Sequence, residues 1–454
     1  MSNVLPENPL SYNNPQAIIT DAWKVLDTNY TGVYHMPHCD HYKGLFGWDS
    51  PMHAIGTRHD RPAQAAMELT HLFRGQWRDG MIPNIQFPAR GELLHGLLNA
   101  SGLLARGNAP RGIRTSGITQ PPLEAEAVWL VGKKLGTEDR RSFWGKTVPW
   151  LVRYHEWLYA ARCEKKDGII EIVHPWESGM DNTPPIIEYM RTLTWGKTAD
   201  IVRSMEKVIT HSRKDLRHVD DGERSSAEEA ALQTIAMVSI MRNRYDARRL
   251  QENHPLHVAD IGFNSIFARA NTVLELLAEE IGLVLADDLK DSMHKTRQNF
   301  SSLRDPRTGL YFSRDRKGEL IPISTIASLL PLYSGALSVQ DTKTLANHLA
   351  NPKSFWRPYG VPTVPVDSPF FDEKRYWSGG VWGNMEWMLT TGLARSGCNE
   401  LAEGMRKTIL STNPAFYEYH SARTGEGYGV RPFSWSASVR LDLAHRPNDT
   451  SWRD

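Results

Sequence analysis

Helical periodicity runs from one end of this chain to the other and leaves little sequence for anything else. The stretches "NPQAIITDAWKVLDTNY", "DRPAQAAMELTHLFRGQW", "LEAEAVWLVGKKLG", "TVPWLVRYHEWLYAARC", "SAEEAALQTIAMVSIMRNRYDARRL", "FNSIFARANTVLELLAEEIGLVLADDLKDSMHKTRQNF", "WGNMEWMLTTGLARSG" and "NELAEGMRKTIL" place apolar residues at i, i+3, i+4 and i+7. Convincing strand alternation is nearly absent; "GIIEIVHP" and "GLYFSR" flank turns and predict only small ribbons. Long Gly/Pro-rich connections separate the helices, among them "YHMPHCDHYKGLFGWDS" and "PYGVPTVPVDSPFFDEKRYWSGGVWGN". Such loops are functional or disordered, and their Trp, Tyr and Asp content argues against disorder. With no internal period and no Gly/Ser linker, the chain is expected to form one domain over residues 1–454. Helical hairpins whose site-like loops span residues 39 to 435 predict an all-α fold, a closed (α/α)6 barrel with its loops gathered at one rim. An α-solenoid would show more self-similar repeats.

Charge excludes several partners. With 53 Lys+Arg against 52 Asp+Glu, the net charge of +1 gives no field that would favour nucleic acid or an anionic membrane. Cys39, Cys163 and Cys398 lie far apart without metal-site spacing, which fits a reducing compartment and no structural zinc. The first residues carry no signal-peptide pattern and no membrane-length apolar run occurs, so a cytoplasmic protein is expected. Assembly into a homo-oligomer is left open.

The stretch "HPWESGMDNTPP" sets Glu177 and Asp181 four residues apart among Trp176, Gly179 and a double proline, which reads as a loop or helix end rather than a charged helix face. Acetal hydrolysis needs two carboxyls, one protonated for the departing oxygen and one ionised to attack or to activate water. Asp181 and Glu418, the latter in "FYEYHSARTGEGYG", both sit in aromatic loops where desolvation raises a carboxyl pKa. A cap or an Arg partner would explain Glu418 equally well. Asp49 in "GWDS" is either a helix N-cap or an ionised carboxylate facing sugar hydroxyls beside Trp48. "GQWRDGMIP" offers Gln76, Trp77 and Asp79 in the same style, and "TSGITQPP" offers Gln120. "RYWSGGVWGNMEWM" contributes Tyr376, Trp377 and Trp382 around Gly379-Gly380, a pair suited to close backbone approach by a ligand, and "PFSWSAS" contributes Trp435. Trp387 lies at helical spacing and reads as core. Serine-hydrolase, P-loop, zincin and Rossmann motifs are all missing. The histidines of His35, His38, Asp40 and His41 read as solvated or hydrogen-bonded rather than as a metal site.

Together, "FGWDSPMHAIG", "GQWRDGMIPNIQF", "NAPRGIRTSGITQPP", "WESGMDN", "YGVPTVPVDSPFFDEKRYWSGGVWGNMEWM", "FYEYHSARTGEGYG" and "FSWSAS" resemble, in order, the glucosylglycerate and mannosylglycerate hydrolases of glycoside hydrolase family 63. The likeness runs from about residue 15 onward. The resemblance implies an (α/α)6 barrel with an additional inserted helical region, no metal or cofactor, and hydrolysis of a small α-glucoside or α-mannoside with inversion. It implies Asp181 as general acid and Glu418 as the base that activates water. Trp48, Asp49, Gln120, Trp176, Trp377, Trp382 and Trp435 would line the sugar subsite, with Tyr376 beside it and Glu177 as a supporting partner.

Departures bear on the leaving group. Phe433 stands where the glycerate-releasing enzymes have Gln, Arg224 replaces a tyrosine of the glycerate side, and the loop from Phe87 to Arg106 lacks the family's aromatic-Pro-Gly-Pro pattern. Arg106, Arg111 and Arg114 cluster in one loop and Arg213, Arg217 and Arg224 in another, and a guanidinium grips a carboxylate bidentately. Arg217 is the expected acid-group contact. An α-glucosidase with a sugar aglycone is the alternative; a helical-ring epimerase or a non-catalytic sugar-binding protein is more remote, because two acids rather than paired histidines mark the loops.

Overall fold

The structure, a computed structural model, describes residues 14–88, 105, 107–204, 216 and 219–446. Helices alternate between an outer and an inner layer. The outer set is Pro15–Asn29, Pro62–Phe73, Thr137–Arg162, Asp287–Asn299, Val339–Leu349 and Asn399–Ser411. The inner set is Asp49–Thr57, Glu124–Gly132, Ile261–Ile281, Pro331–Ser334, Gly383–Arg395 and Ser434–His445. Each inner helix touches the next, and the last, Ser434–His445, packs on the first, Asp49–Thr57, so the ring closes as an (α/α)6 barrel.

Burial explains which helix goes where. Outer Pro15–Asn29 buries the single stripe Ile18, Ala22, Val25, Leu26 and Asn29, at the i, i+4, i+7 spacing of an amphipathic helix. Each large apolar member of that stripe stabilises the fold by about 1.5–3 kcal/mol relative to exposure. Inner Asp49–Thr57 and Glu124–Gly132 are buried at every position. The inserted helical region lies between Thr137–Arg162 and Ile261–Ile281 and carries Pro184–Thr192, Lys197–Ser204, Ala227–Arg242 and Ala247–Asn253. No described helix is long and apolar enough to cross a membrane.

Two of the long periodic stretches are each two helices. Gly282, at φ +69°, ends Ile261–Ile281, and Arg244 and Tyr245, both at positive φ, separate Ala227–Arg242 from Ala247–Asn253. The two predicted ribbons meet: Ile172 bridges Val258, and Val258–Ala259 pairs antiparallel with Arg314–Asp315.

Three inner-helix glutamates are buried, Glu124, Glu126 and Glu386, and two of them, Glu124 and Glu386, have no arginine partner among the described residues. Burial pushes the Glu386 carboxyl up to about 8, against one hydrogen bond from the Val361 N–H, and that of Glu124 also to about 8. A carboxyl raised above its unfolded value supports the fold most fully at low pH, and that support is lost as pH climbs from about 4.5 to 8. Glu386→Gln is expected to flatten this decline and to raise stability at pH 7 by on the order of 1–2 kcal/mol. Urea unfolding at a series of pH values checks it; an unchanged slope would mean that Glu386 is ionised in the native protein.

Candidate active site

The first wall of the site is the turn after Ile172. His174 caps the short helix Pro175–Ser178 by accepting from the Trp176 N–H (3.1 Å). Glu177 is wholly buried, and its carboxylate accepts from the Thr119 N–H (3.2 Å), the Val173 N–H (2.7 Å) and Arg162 Nη2 (3.0 Å). Three donors from its own chain occupy it, so it props up the turn, which fits the supporting role expected of it. Asp181, at the end of the turn, is surrounded by protein yet keeps some exposure to solvent. Its neighbour Asn182 accepts from the Trp377 N–H (2.9 Å) and thereby fixes the opposite wall.

Glu418 stands at the start of the hairpin Tyr419–His420/Gly427–Tyr428. Its Oε2 accepts from Arg224 Nη2 (2.7 Å) and the Val430 N–H (3.2 Å), and its Oε1 from the hydroxyls of Tyr42 (3.0 Å) and Tyr376 (3.5 Å). The hairpin return must pass against this carboxylate: a Cβ on Gly429, at φ +71°, would collide with Oε2. Tyr376 is held at φ +35°, a strained backbone for a tyrosine and one that marks functional positions more often than ordinary loops.

The fold brings Asp49, Asp181 and Glu418 within electrostatic reach of one another. Burial first, and then the charge of Glu418, push the Asp181 carboxyl up to about 7, with Arg224 pulling the other way. Asp49 is raised well above the usual carboxylate range by burial, then by Glu418 and Asp181. Mildly acidic pH therefore favours a protonated Asp181, while four donors surround the Glu418 carboxyl.

Other expected residues divide. Gln120 Oε1 accepts from the Trp48 N–H (3.0 Å), tying the two together next to Asp49. Asp49 opens the first turn of its helix, but the cap position belongs to Trp48 and no side-chain cap bond forms, so the N-cap reading is corrected. Burial and its acidic neighbours work against the ionised form of Asp49. Trp176 is partly buried and edge-on to His174. Trp382 is fully buried, stacked on Trp377 (3.7 Å between centroids) and on Tyr419 (4.7 Å). Both of its faces are taken by protein rings, so it offers no open platform to a ligand. Trp435 meets Trp377 and Trp382 edge-on and directs its indole N–H to the Glu418 carbonyl (3.4 Å). Gly379-Gly380 is crowded by the protein itself, since Cβ atoms there would strike the Asp372 backbone and the Tyr419 ring, so no ligand approach is needed to explain the pair.

Gln76 donates to the Gly80 and Trp150 carbonyls, Trp77 to Thr115, and Asp79 accepts from Asn108, all as scaffold. His35 pairs with Glu68 while His38 turns to the Arg431 carbonyl, so the histidine cluster points apart. Arg106, Arg213 and Arg217 lie outside the described residues. Arg111 is exposed, and Arg114 binds the Pro88 carbonyl. Arg224 is buried against Glu418, and Phe433 packs edge-on to Trp435 (5.0 Å) and Tyr42 (5.8 Å).

Sequence reasoning passed over Tyr42, which sits in a quoted loop beside the histidines and was hidden by them, and Gln233 and Asn182, whose amides carry no local signal. Gln233 Nε2 donates to the Asp181 carbonyl (2.8 Å).

Residues 42–436 match the family model of the mannosylglycerate hydrolase MGH1-like glycoside hydrolase domain. The chain is 35% identical to the mannosylglycerate hydrolase of Thermus thermophilus over 92% of its own length and 99% of the relative's. It is 32% identical to the glucosylglycerate hydrolase of Mycolicibacterium hassiacum, covering 88% and 92%. A crystal structure of the family 63 mannosylglycerate hydrolase from Thermus thermophilus with Tris and D-glycerate superposes with a TM-score of 0.82 at 32% identity, covering 94% of this chain and 99% of the other.

Proposed function

Because this chain belongs to the mannosylglycerate hydrolase MGH1-like glycoside hydrolase family, we propose that it hydrolyses a small α-glycoside of glycerate, a mannosyl or glucosyl one, with inversion. The observation that carries the reading is the electrostatic coupling of Asp181 and Glu418, with the Asp181 carboxyl held up to about 7 and that of Glu418 caged by Arg224, Tyr42, Tyr376 and the Val430 N–H. Glu418 takes a proton from water, the resulting oxygen attacks the anomeric carbon, and Asp181 delivers its proton to the glycosidic oxygen as that bond breaks. Asp49 and Gln120 beside Trp48, together with Trp176, Tyr376, Trp377 and Trp435, would surround the hexose. Arg217 remains the proposed contact for the glycerate carboxylate.

Mannosylglycerate and glucosylglycerate, followed by proton NMR, test this directly. The first-formed hexose is expected as the β-anomer, mutarotating later; an initial α-anomer would mean retention and a different mechanism. Phe433 favours one second reading, a sugar aglycone, because an aromatic wall against Tyr42 and Trp435 suits the CH face of a second ring. Disaccharides in the same panel decide between them, with the family reading lost if they alone are cleaved.

The acid must be protonated to work. With Asp181 near 7, kcat/KM is expected to hold below that pH and to fall about tenfold per unit above it. Stopped assays across the pH range check this, and a profile flat to alkaline pH would remove Asp181 from the acid role.

A further inference from the structure

The segment from Glu223 to Gln233 touches both catalytic walls. At its start, Glu223 Oε2 accepts from the Gly429 N–H (2.8 Å), its carbonyl accepts from the Tyr419 hydroxyl (2.7 Å), and Arg224 Nη2 holds Glu418 Oε2 (2.7 Å). Further along, the helix Ala227–Arg242 presents Glu229 and Gln233, one turn apart on the same face. Glu229 Oε2 accepts from Asn182 Nδ2 (3.4 Å), and Gln233 Nε2 donates to the Asp181 carbonyl (2.8 Å) and to Ser225 Oγ (3.4 Å). The capping box of Ser226 and Glu229 locks the helix start to the stretch that carries Arg224.

Arg224 is buried at 2% exposure with its guanidinium over the Tyr376 ring (4.8 Å) and near that of Tyr42 (5.8 Å). Its Nε and Nη1 are buried without a hydrogen-bond partner among the described residues. Burying a guanidinium with two idle donors is costly, and folds tolerate such cost where a site depends on it. Among the described residues, Nη2 reaches a carboxylate only at Glu418.

From these contacts we infer that Glu223–Gln233 is a yoke that sets the span between the two catalytic carboxyls, with Arg224 and Gln233 as positioning residues at its base and acid ends. The inference rests on the acid and base reading above. An inverting site needs a fixed gap that admits one water, and displacement by about 1 Å can cost on the order of 10²-fold in rate. The helix Ala227–Arg242 of the inserted region thus contributes to holding the acid turn, through Gln233 and Glu229.

The two ends are separable, because an α-glycosyl fluoride leaves without help from a general acid whereas a glycerate glycoside does not. Gln233→Leu is expected to lower kcat by about tenfold on mannosylglycerate or glucosylglycerate, with α-mannosyl or α-glucosyl fluoride slowed by less than about twofold. Arg224→Met is expected to slow both substrate classes by about 10²-fold, and Arg224→Lys to recover part of that loss. Melting curves confirm that each variant is folded, and Gln233→Glu is the fallback if the leucine variant is not, with the same fluoride sparing expected. Equal losses on both substrate classes for the Gln233 variant, or full activity in Arg224→Met, would overturn the yoke. Asp181→Asn run alongside keeps the two questions apart: if it shows no fluoride sparing, the acid assignment itself falls.

Discussion

Glu418→Gln is expected to lower turnover of the glycerate glycosides by about 10²–10⁴-fold, the contribution of a positioned acid or base, with KM little changed. Glutamine keeps the shape, and with its oxygen at the Oε1 position it can still accept from Tyr42 and Tyr376, but its amide NH2 cannot accept from the Val430 N–H or take a proton from water. It also leaves Arg224 buried opposite a neutral amide, so the variant is expected to melt earlier as well. Rapid-quench kinetics and a melting curve on one preparation separate the two effects. Asp181→Asn should match it on the natural glycosides while sparing substrates with good leaving groups. Undiminished hydrolysis by folded Glu418→Gln would defeat the mechanism.

Asp442→Asn is expected to cost about 3–5 kcal/mol of stability, the usual result of removing one partner from a buried charge cluster. Asp442 is wholly buried and accepts from Arg58 Nη1 (2.5 Å), His59 Nε2 (2.8 Å), Trp387 Nε1 (2.7 Å) and Arg446 Nε (2.8 Å). These partners come from the end of Asp49–Thr57, from Gly383–Arg395 and from Ser434–His445, so one carboxylate stitches three inner helices where the ring closes. Despite burial, the two arginines and His59 hold its pKa well below the ordinary value. A depressed carboxyl stabilises the fold above its unfolded pKa, near 3.8, and that support drains away as pH falls through the folded value. The variant should therefore be weaker at neutral pH and less sensitive to acid, as urea midpoints at pH 7 and pH 3 would show. A midpoint at pH 7 equal to wild type would mean that the arginines are satisfied without Asp442.

The sequence and the structure agree where the physics is local. Amphipathic outer helices such as Pro15–Asn29 carry a stripe that periodicity detects, and turn residues betray the loops that hold Asp181 and Glu418. The inner helices Asp49–Thr57 and Ser434–His445 escape that test; the latter, buried at ten of its twelve positions, has no polar face to set a period. Glu177 illustrates a second limit: the sequence sets it four residues from Asp181 but does not reveal the Thr119 and Arg162 donors, 58 and 15 residues away, that hold it. Trp382 illustrates a third, since nothing in "GGVWGN" tells that Trp377 and Tyr419 sandwich it. Gln233 and Arg224 matter only through partners distant in the chain, 52 and 194 residues away, and no window of sequence contains such a pair.

Closure of the ring has a kinetic corollary. Tyr42 and Glu418 are 376 residues apart along the chain and Asn29 and Ser434 are 405 apart, yet each pair is hydrogen-bonded. Contacts of such separation repay their loop entropy late, so a molecule built on them acquires its chemistry only after most of its helical hairpins have already assembled. During refolding, helical signal should return before activity does, and a polypeptide released without its last inner helix would carry Asp181 but have no Trp435 or Asp442 to complete the circle.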